Sequence, residues 1–586
     1  MSEDTVRGAA QRRSTWDAMA VFLQRRALVM LALGFAAGMP NLLIYDTLSV
    51  WLRQAKVPLD VITLLSLVTI TYALKFLWAP VVDRVRVPGL HQMLGKRRAW
   101  MLLTQAGVVI GIWAISINAP AVSAAVAGEA AGAVQPDPNL ALIGILAACA
   151  AMTAFFGATQ DIAIDAWRIE AAAVEDQGVM AAAYQWGYRI AIVVSGAVPL
   201  WLASRIGWSA SYGLMALVMA VGMIGVLLAP RGREQETPAA PPTRGPAGLE
   251  ALEWGGRLAV LLIGAAIAGA GLSGRAEPLT FLLTPFGVDG ASLSAVWTAR
   301  PLGAVWQVLG VLAGLAIIAA ATYPLPGARS RPSAYFAATL KEPLQDFFVR
   351  YRGGATLILA MICVYRISDF VLNLMGPFYV DVGFTTDDIA NARKLFGIVM
   401  SVLGVGLGGW SVARFGLLRP MLVGAVLQPV SNIVFASLTV TGPWLPGLYF
   451  CIAIDNISAG IAGTCLIAYM SSLTSLGFTA TQYALFSSLY ALPGKLLGAI
   501  SGRIVEGATE AAAGGGFQWM RGWFSGMSPD AFARLAAERG LPAEAFAIGY
   551  VSFFLYTGVV GVAGVALAYL IMRRGANAQA QEKAPA

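Results

Sequence analysis

The sequence predicts an all-α polytopic membrane protein with about fourteen transmembrane helices. Of the 586 residues, 58% are hydrophobic and only 12% are charged, whereas soluble domains carry about 25% charged residues. Apolar runs of about 20 residues, the length that one helical crossing needs, recur along most of the chain. The 64 glycines favour helices that pack closely, because small residues let helix backbones approach each other in lipid.

The predicted spans fall into two sets of six with a further pair between them. The first set is expected near residues 27–50, 59–80, 99–118, 139–167, 179–203 and 209–230. The second set is expected near residues 354–379, 388–412, 420–440, 444–473, 480–505 and 546–572. The inserted pair is expected near 257–273 and 302–322. Six spans, an insert and six more spans are the outline of a major-facilitator transporter, in which the substrate site lies at the midplane between two helix bundles.

This outline divides the chain into five parts. They are a cytoplasmic N-terminal segment (1–26), an N-terminal six-helix bundle (27–230), a linker region that contains the inserted pair (231–353), a C-terminal six-helix bundle (354–573) and a cytoplasmic tail (574–586). The Pro-rich, charged stretch 231–250 and the polar stretch 323–353 are typical of connectors. A long periplasmic loop, 508–545, is predicted within the C-terminal bundle, and 529–538 is expected to form a short surface helix in it.

The distribution of basic residues predicts the orientation in the membrane. With the N-terminus inside, roughly 25 of the Lys and Arg residues fall in cytoplasmic segments and about 11 in external ones. The loop 81–98 is rich in Lys and Arg, while the loop 119–138 holds neither. Because positively charged loops are retained on the cytoplasmic side, both termini are expected in the cytoplasm.

The end of the predicted span 139–167 carries charges that lipid disfavours. A charged side chain at membrane depth costs about 2.5–3.5 kcal/mol on insertion scales. Asp161 and Asp165 are four residues apart, so they share one face of a helix, and Arg168 follows one turn later. The predicted orientation puts Asp161 deeper and the other two nearer the cytoplasmic mouth. We therefore expect Asp161 to serve cargo or proton binding, and Asp165 with Arg168 to belong to a cytoplasmic gate.

Further ionisable residues lie in predicted spans of both halves. They are Asp46, Lys75, Arg189, Arg366, Asp369, Asp455 and Lys495. One interpretation is a set of static ion pairs that fix helix packing. The other is a transport site, in which basic residues bind cargo carboxylates and embedded carboxylates carry protons. Because these residues come from many helices, the pattern favours a proton-coupled transporter, and the sequence does not single out one aspartate as the proton carrier.

The loop between the second and third spans holds an acid and a basic cluster. Asp83 and Arg84 are followed by Arg97 and Arg98. This resembles the signature loop of major-facilitator transporters, where such residues latch the cytoplasmic side closed, and it predicts a gate that includes all four. A plain positively charged cytoplasmic loop is the alternative.

The sequence offers no pattern typical of an enzyme or a metal site. The stretch 89–97 has the glycines and lysine of a phosphate loop, but its spacing is one residue too long and it lacks the Ser or Thr. The single histidine, His91, lies in a basic loop without a Ser/His/Asp set around it. The four cysteines lie in apolar spans without paired spacing. We therefore predict no catalytic residue, no metal and no cofactor.

Several stretches resemble the muropeptide permease (AmpG) family of major-facilitator transporters. In the first half they are Gly34–Pro40, Tyr72–Pro80 with Asp83 and Arg84, Gly95–Trp100 and Ala158–Trp167. In the second half they are Tyr365–Asp369 and Thr479–Ser487. The resemblance covers nearly all of the twelve core spans.

The resemblance implies proton-driven import of anhydro-muropeptides, which are disaccharide peptides from the cell wall, from the periplasm to the cytoplasm. Such a permease serves peptidoglycan recycling and, in some bacteria, β-lactamase induction. It implies a multi-pass protein of the bacterial inner membrane, expected as a monomer without a nucleic-acid partner. Gln160, Asn456 and Gln482 are candidate partners for sugar or peptide groups. Related branches carry acyl-CoA-like or siderophore-like cargo, so those cargoes, and a non-transporting receptor, stay as alternatives.

Overall fold

The computed structural model is helical throughout its described residues. It describes residues 20–54, 71–130, 138–231, 246–273, 276–299, 302–323, 330–370, 374–498 and 501–583. No β-strand occurs within these ranges. The prediction of an all-α protein is therefore confirmed for this part of the chain.

The first half of the chain forms ten described α-helices, several of which join into longer rods. They are α1 (Arg25–Leu42), α2 (Leu48–Gln54), α3 (Thr71–Leu74), α4 (Ala79–Arg84), α5 (Leu90–Leu94), α6 (Lys96–Ala130), α7 (Pro138–Ala171), α8 (Gln177–Ile206), α9 (Trp208–Val218) and α10 (Ala220–Leu228). A wide π-type turn at 43–47 connects α1 to α2 just after Pro40, whose ring cannot donate a helical hydrogen bond.

The inserted region and the connector after it form six helices in the described residues. They are α11 (Ala247–Ser273), α12 (Glu277–Leu283), α13 (Gly290–Thr298), α14 (Leu302–Thr322), α15 (Arg331–Phe336) and α16 (Glu342–Arg350). The long helices α11 and α14 pack against each other as a hairpin, and α12 with α13 cover its tip. At its other side, α11 contacts α15 of the connector.

The second half contains thirteen described helices. They are α17 (Ala355–Val364), α18 (Ile367–Phe370), α19 (Met375–Val382), α20 (Thr386–Ala390), α21 (Gly397–Phe415), α22 (Leu418–Val434), α23 (Leu438–Thr441), α24 (Leu445–Ser472), α25 (Thr479–Gly498), α26 (Ser501–Ala513), α27 (Gln518–Arg521), α28 (Ala533–Arg539) and α29 (Ala543–Lys583). Helix α28 lies where a short surface helix is expected in the 508–545 loop.

Nine helices of the described residues are long and apolar enough to cross a membrane, and ten if the bent pair of α16 with 355–369 counts as one span. All nine lie at predicted spans. Helices also occupy 27–50, 139–167 and 480–498, while most of 59–80 lies outside the described residues. A count of fourteen is thus not confirmed in the described part of the chain, where nine or ten candidate spans are found.

Each half has its own apolar core. In the first half, α1 packs along α8 and α6 along α7; in the second, α21 packs along α24 and α22 along α29. The interfaces use small residues: a Cβ on Gly187 would lie 2.0 Å from the carbonyl oxygen of Leu31. Glycine is required there, because backbones that close leave no room for a side chain.

The two halves meet closely at one end of the molecule, which we call the closed end. There α8 packs against α21 and α24, and α25 packs against α4 and α7. A Cβ on Gly178 of α8 would lie 2.5 Å from Cβ of Val412 on α21. The close inter-half contacts of the described residues run from this end towards the middle of the bundle, so the central region is sealed on the side that carries Asp83.

The contact between α8 and α21 leads to a first prediction. Gly178→Val should separate the two helices and weaken the closed end, since the added side chain would overlap the buried Val412. Spin labels on α8 and α21 should report a longer distance than in the parent protein. Gly255→Val is the matched control, because a Cβ on Gly255 meets nothing within 4 Å. An unchanged distance in Gly178→Val would contradict this packing.

Candidate functional site

A cluster of charges, the N-half charge centre, consists of Lys75, Asp161, Asp165 and Arg168. Nζ of Lys75 lies 3.7 Å from Oδ2 of Asp161 and 3.7 Å from Oδ2 of Asp165. Nη2 of Arg168 lies 3.3 Å from Oδ1 of Asp165. Helix α7 supplies three of the four residues at one-turn intervals, and the chain after α3 supplies the lysine. One lysine is therefore shared between two carboxylates.

The Asp161 carboxylate is the least satisfied member of this centre. Its Oδ1 atom is buried and has no hydrogen-bond partner among the described residues. The side chain of Gln160 beside it is fully buried, and neither its Nε2 nor its Oε1 has a described partner. Buried polar atoms without a partner are rare in proteins and call for an explanation such as an ordered water, an ion, a ligand or a proton.

A second cluster, the C-half charge centre, consists of Arg366, Asp369 and Asp455. Arg366 and Asp369 form a salt bridge one helical turn apart. Asp455 receives a hydrogen bond of 3.4 Å from Oγ of Ser431 and interacts electrostatically with both other members. Arg189 of α8 interacts with Arg366 and Asp369 from the opposite half. Asn456 instead donates to the carbonyl oxygen of Ile452 in its own helix.

The two halves also touch between the charge centres. Nε2 of Gln185 on α8 donates a hydrogen bond of 2.6 Å to Oγ1 of Thr464 on α24. A Cβ on Gly463 would lie 3.0 Å from Nη1 of Arg366 and 3.4 Å from Oε1 of Gln185. The absence of a side chain at Gly463 therefore lets Arg366 approach the other half.

At the closed end, Asp83 bridges the halves. Its carboxylate accepts hydrogen bonds from the backbone N–H of Ala480 at 3.2 Å and of Thr481 at 2.8 Å, and from Oγ1 of Thr481 at 2.7 Å. These donors lie in the first turn of α25. A carboxylate there satisfies free N–H groups and interacts favourably with the helix dipole. Asp83 thus caps a helix of the other half.

Arg97 compensates the charge of Asp83 in the interior. Its Nη2 atom lies 2.7 Å from Oδ1 of Asp83 and 2.6 Å from Oε1 of Glu170, and the three side chains are at most 3% exposed. Burial raises the pKa of the Glu170 carboxyl, while Arg97 acts in the opposite direction. A buried pair broken by removal of one partner costs about 3–5 kcal/mol, so this triad holds the closed end firmly.

The other predicted gate residues have different partners. Nη1 of Arg168 donates to Oγ of Ser471 at 2.9 Å, and its guanidinium lies 4.9 Å from the ring centroid of Tyr483, so it joins the halves. Arg98 donates to the carbonyl oxygens of Val226 and Leu227 and stays within the first half. Asp165 belongs to the N-half charge centre and, through Arg168, also to the closed end.

The connector α15–α16 forms a second bridge across the closed end. Oη of Tyr335 donates to the carbonyl oxygen of Leu77 at 2.7 Å, and Glu342 pairs with Arg84 at 2.9 Å. Towards the other half, Nε2 of Gln482 donates to Oδ2 of Asp346 at 2.8 Å. Gln482, predicted to contact cargo, is thus placed in this bridge and not beside Asp161.

Sequence reasoning missed Glu170, Tyr335, Glu342 and Asp346. Glu170 could have been found from the sequence, because it lies next to the charged stretch of α7. The connector residues could not, since polar side chains are ordinary in a linker. The side chains of Asp46 and Lys495 lie outside the described part of the structure.

Known proteins resemble this chain in sequence and fold. The anhydromuropeptide permease of Escherichia coli K12 is 28% identical over 489 residues, which is 83% of this chain and 75% of the relative. A putative transporter, AmpG 4, of Rickettsia felis is 24% identical over 83% of this chain and 91% of its own length. A family model described as "Acetyl-coenzyme A transporter 1" matches residues 26–208.

A solved structure supports the fold. The proton:xylose symporter XylE of the major facilitator superfamily matches 94% of this chain and 95% of its own with a TM-score of 0.50, at 10% sequence identity. Two helix bundles and these relatives define a major-facilitator transporter, which is a multi-pass membrane protein and not an enzyme. Within that superfamily, the chain is related in sequence to AmpG permeases, at 24–28% identity over 83% of its length.

The bridge at Asp83 gives a second prediction. Asp83→Asn removes the charge that faces Arg97 and the α25 amides, which should weaken the closed end by on the order of 3 kcal/mol. Cysteines introduced on α4 and α25 should then cross-link less efficiently, and the melting temperature in detergent should fall. Asp289→Asn, which changes an exposed helix cap, should leave the cross-link unchanged. Equal cross-linking in both variants would contradict the bridging role.

Proposed function

We propose that this protein is a proton-coupled secondary transporter that imports anhydro-muropeptides from the periplasm to the cytoplasm of a bacterium. The observation that carries the proposal is the N-half charge centre, where Lys75 is shared by Asp161 and Asp165 and Oδ1 of Asp161 has no described partner. The 28% identity to the anhydromuropeptide permease supports the cargo.

Coupling follows from the shared lysine. When Asp161 is ionised, Lys75 is held between two carboxylates. When Asp161 takes up a proton, Lys75 keeps only Asp165 as its ionic partner and turns a donor to a cargo carboxylate. Uptake of the proton therefore prepares the cleft for anionic groups, and release of both on the other side restores the original pairing.

Direction follows from the closed end together with the basic loops. The positive-inside rule assigns the Asp83 end to the cytoplasm, so the conformation described is sealed towards the cytoplasm. Cargo then enters from the periplasm. Opening the closed end requires Asp83 to release the α25 amides, and the connector α15–α16 to release Gln482, after which cargo leaves into the cytoplasm.

The balance of embedded charges bears on the cargo. The two charge centres and Arg189 together contain four basic residues, Lys75, Arg168, Arg189 and Arg366, and four acidic ones, Asp161, Asp165, Asp369 and Asp455. A balanced set suits a zwitterionic cargo, which has carboxylates and an amine, better than a polyphosphate, which calls for an excess of cations. Muropeptides have both groups and sugar hydroxyls.

A second candidate is transport of an acyl-CoA-like cargo. It is favoured by the family-model match over residues 26–208, which covers most of the first bundle. The balanced charges stand against it, as does the shortage of unpaired basic side chains among the described embedded residues. Competition by acetyl-CoA for uptake of labelled muropeptide separates the two candidate functions.

The third prediction tests coupling. In vesicles with an imposed proton gradient, labelled anhydro-muropeptide should accumulate, and a protonophore should abolish accumulation. Asp161→Asn should lose accumulation but retain exchange of labelled for unlabelled cargo, because exchange needs no net proton movement. Glu277→Gln, an exposed residue of the inserted pair, is the matched control.

Three outcomes would contradict the proposal. Accumulation that ignores the protonophore would remove the coupling. Competition by acetyl-CoA but not by unlabelled muropeptide would transfer the function to the second candidate. Binding without any transport, unaltered in Asp161→Asn, would indicate a receptor.

A further inference from the structure

Two tyrosines beside the N-half charge centre are positioned by backbone packing. A Cβ on Gly34 of α1 would lie 2.2 Å from the carbonyl oxygen of Tyr184, and one on Gly38 would lie 2.8 Å from that of Tyr188. The glycines are one helical turn apart, and so are the tyrosines. The backbones of α1 and α8 therefore touch at both levels, and this contact fixes the depth at which the two rings lie.

Both rings are only partly buried although they lie well inside the bundle. Their centroids are 6.1 Å apart and the ring planes are inclined by 42°. Nδ2 of Asn41 donates a hydrogen bond of 3.2 Å to Oη of Tyr188. Both tyrosines interact electrostatically with Asp161. They therefore form an aromatic surface directly beside the carboxylate that the described residues leave partly unsatisfied.

Tyr72 lies near the same groups, since it interacts electrostatically with Asp161 and Tyr188. A Cβ on Gly157 would lie 2.3 Å from Oη of Tyr72. Gly157 precedes Asp161 by one turn on α7. The buried Oη has no hydrogen-bond partner among the described residues, so a donor and acceptor is available next to Asp161. Glycine at 157 is what gives the hydroxyl access to this position.

We infer that Tyr72, Tyr184 and Tyr188 form a subsite for a pyranose ring of the cargo, with Asn41 as an additional polar contact. A pyranose has apolar C–H faces and hydroxyls around its edge. The tyrosine rings offer electron-rich faces to the C–H groups, and Oη of Tyr72 with the Asn41 amide offers both donors and acceptors to the hydroxyls. This subsite rests on the proposed function and names the part of the cargo that lies next to Lys75 and Asp161.

The geometry favours a sugar over a flat base such as adenine. Two rings inclined by 42° cannot both lie parallel to one planar ligand, whereas the puckered faces of a saccharide can contact each of them. The aromatic lining also continues: Tyr490 of α25 interacts with Tyr188 and with Arg366. A cargo with sugar at the N-half charge centre can therefore extend its charged peptide towards the C-half charge centre.

The fourth prediction tests this subsite by binding measurements on the purified full chain in nanodiscs. The probes are the peptide-free disaccharide N-acetylglucosamine–anhydro-N-acetylmuramic acid, the complete anhydro-muropeptide and the free stem peptide. Tyr188→Leu should weaken disaccharide and muropeptide binding about 10-fold and leave stem-peptide binding unchanged, because only the sugar contacts the ring. Tyr188→Phe, which keeps the ring, should weaken it less.

Tyr72→Phe removes only the hydroxyl and should also weaken disaccharide binding selectively. Tyr569→Leu is the control, since this tyrosine lies on the exposed side of α29. The melting temperature of each variant, compared with the parent, identifies loss of folding, and Tyr72→Phe and Tyr188→Phe change too few atoms to unfold the bundle.

The outcomes separate the subsite from the proposed function. If the parent protein accumulates muropeptide but all tyrosine variants bind the disaccharide as it does, the subsite is wrong and the function stands. If the parent binds the disaccharide in a tyrosine-dependent way but accumulates nothing, the function is wrong and the subsite stands. If the parent binds neither the disaccharide nor the muropeptide, both are wrong.

Discussion

The cost of burying charge is the constraint on which this structure depends. A carboxylate or guanidinium within a membrane protein must find an opposite charge or several hydrogen-bond donors. Asp83 finds Arg97 in its own half and the first amides of α25 in the other, so satisfying one carboxylate also brings the bundles together. At the N-half charge centre, Lys75 satisfies only part of the Asp161 carboxylate. The difference separates a carboxylate that joins the two bundles from one that keeps an acceptor without a described partner.

The glycines serve the same constraint by another route. Close helix contacts at Gly178, Gly187 and Gly463 bring polar side chains within reach of partners in other helices. Gly34 and Gly38 do so for the tyrosines of α8. A transporter with alternating access opens first to one side of the membrane and then to the other. Helices that pack tightly through backbone atoms are suited to move as rigid units in that change.

Much of the fold could be predicted from the sequence, because apolar runs of membrane length and basic loops are local signals. The spans of α8, α21 and α24 agree with the prediction for that reason. The bend of 110° between α16 and 355–369 could not be predicted, because it depends on tertiary packing. Pro40 is a local signal for a break in its helix, but it does not specify the π-type form of the turn that follows. The apolar runs at these two places are long enough in sequence to cross a membrane, yet neither forms a single straight helix.

For the candidate site, the sequence predicts which residues take part but not how they pair. Embedded charges identify Lys75, Asp161 and Asp165, but their pairing depends on how separate helices pack. The contact between Asp83 and Thr481 joins residues 398 positions apart, and no periodicity encodes such a distance. Gln482 is predicted to contact cargo because of the stretch it lies in, but its side chain donates a hydrogen bond to Asp346 in the connector. Tyrosines in apolar spans are common, so their role appears only once their neighbours are known.

The balance of four cations and four carboxylates in the two charge centres with Arg189 has an electrical consequence. Moving one elementary charge through the membrane potential changes the free energy by about 2.3 kcal/mol per 100 mV. Under the proposed function, charge centres with no formal net charge contribute little to that quantity when the empty protein returns to face the periplasm. The voltage dependence of the proposed cycle then arises from the proton and the charges of the cargo, so the net charge of the two together sets the effect of the potential on the loaded step, and the return step is almost unaffected.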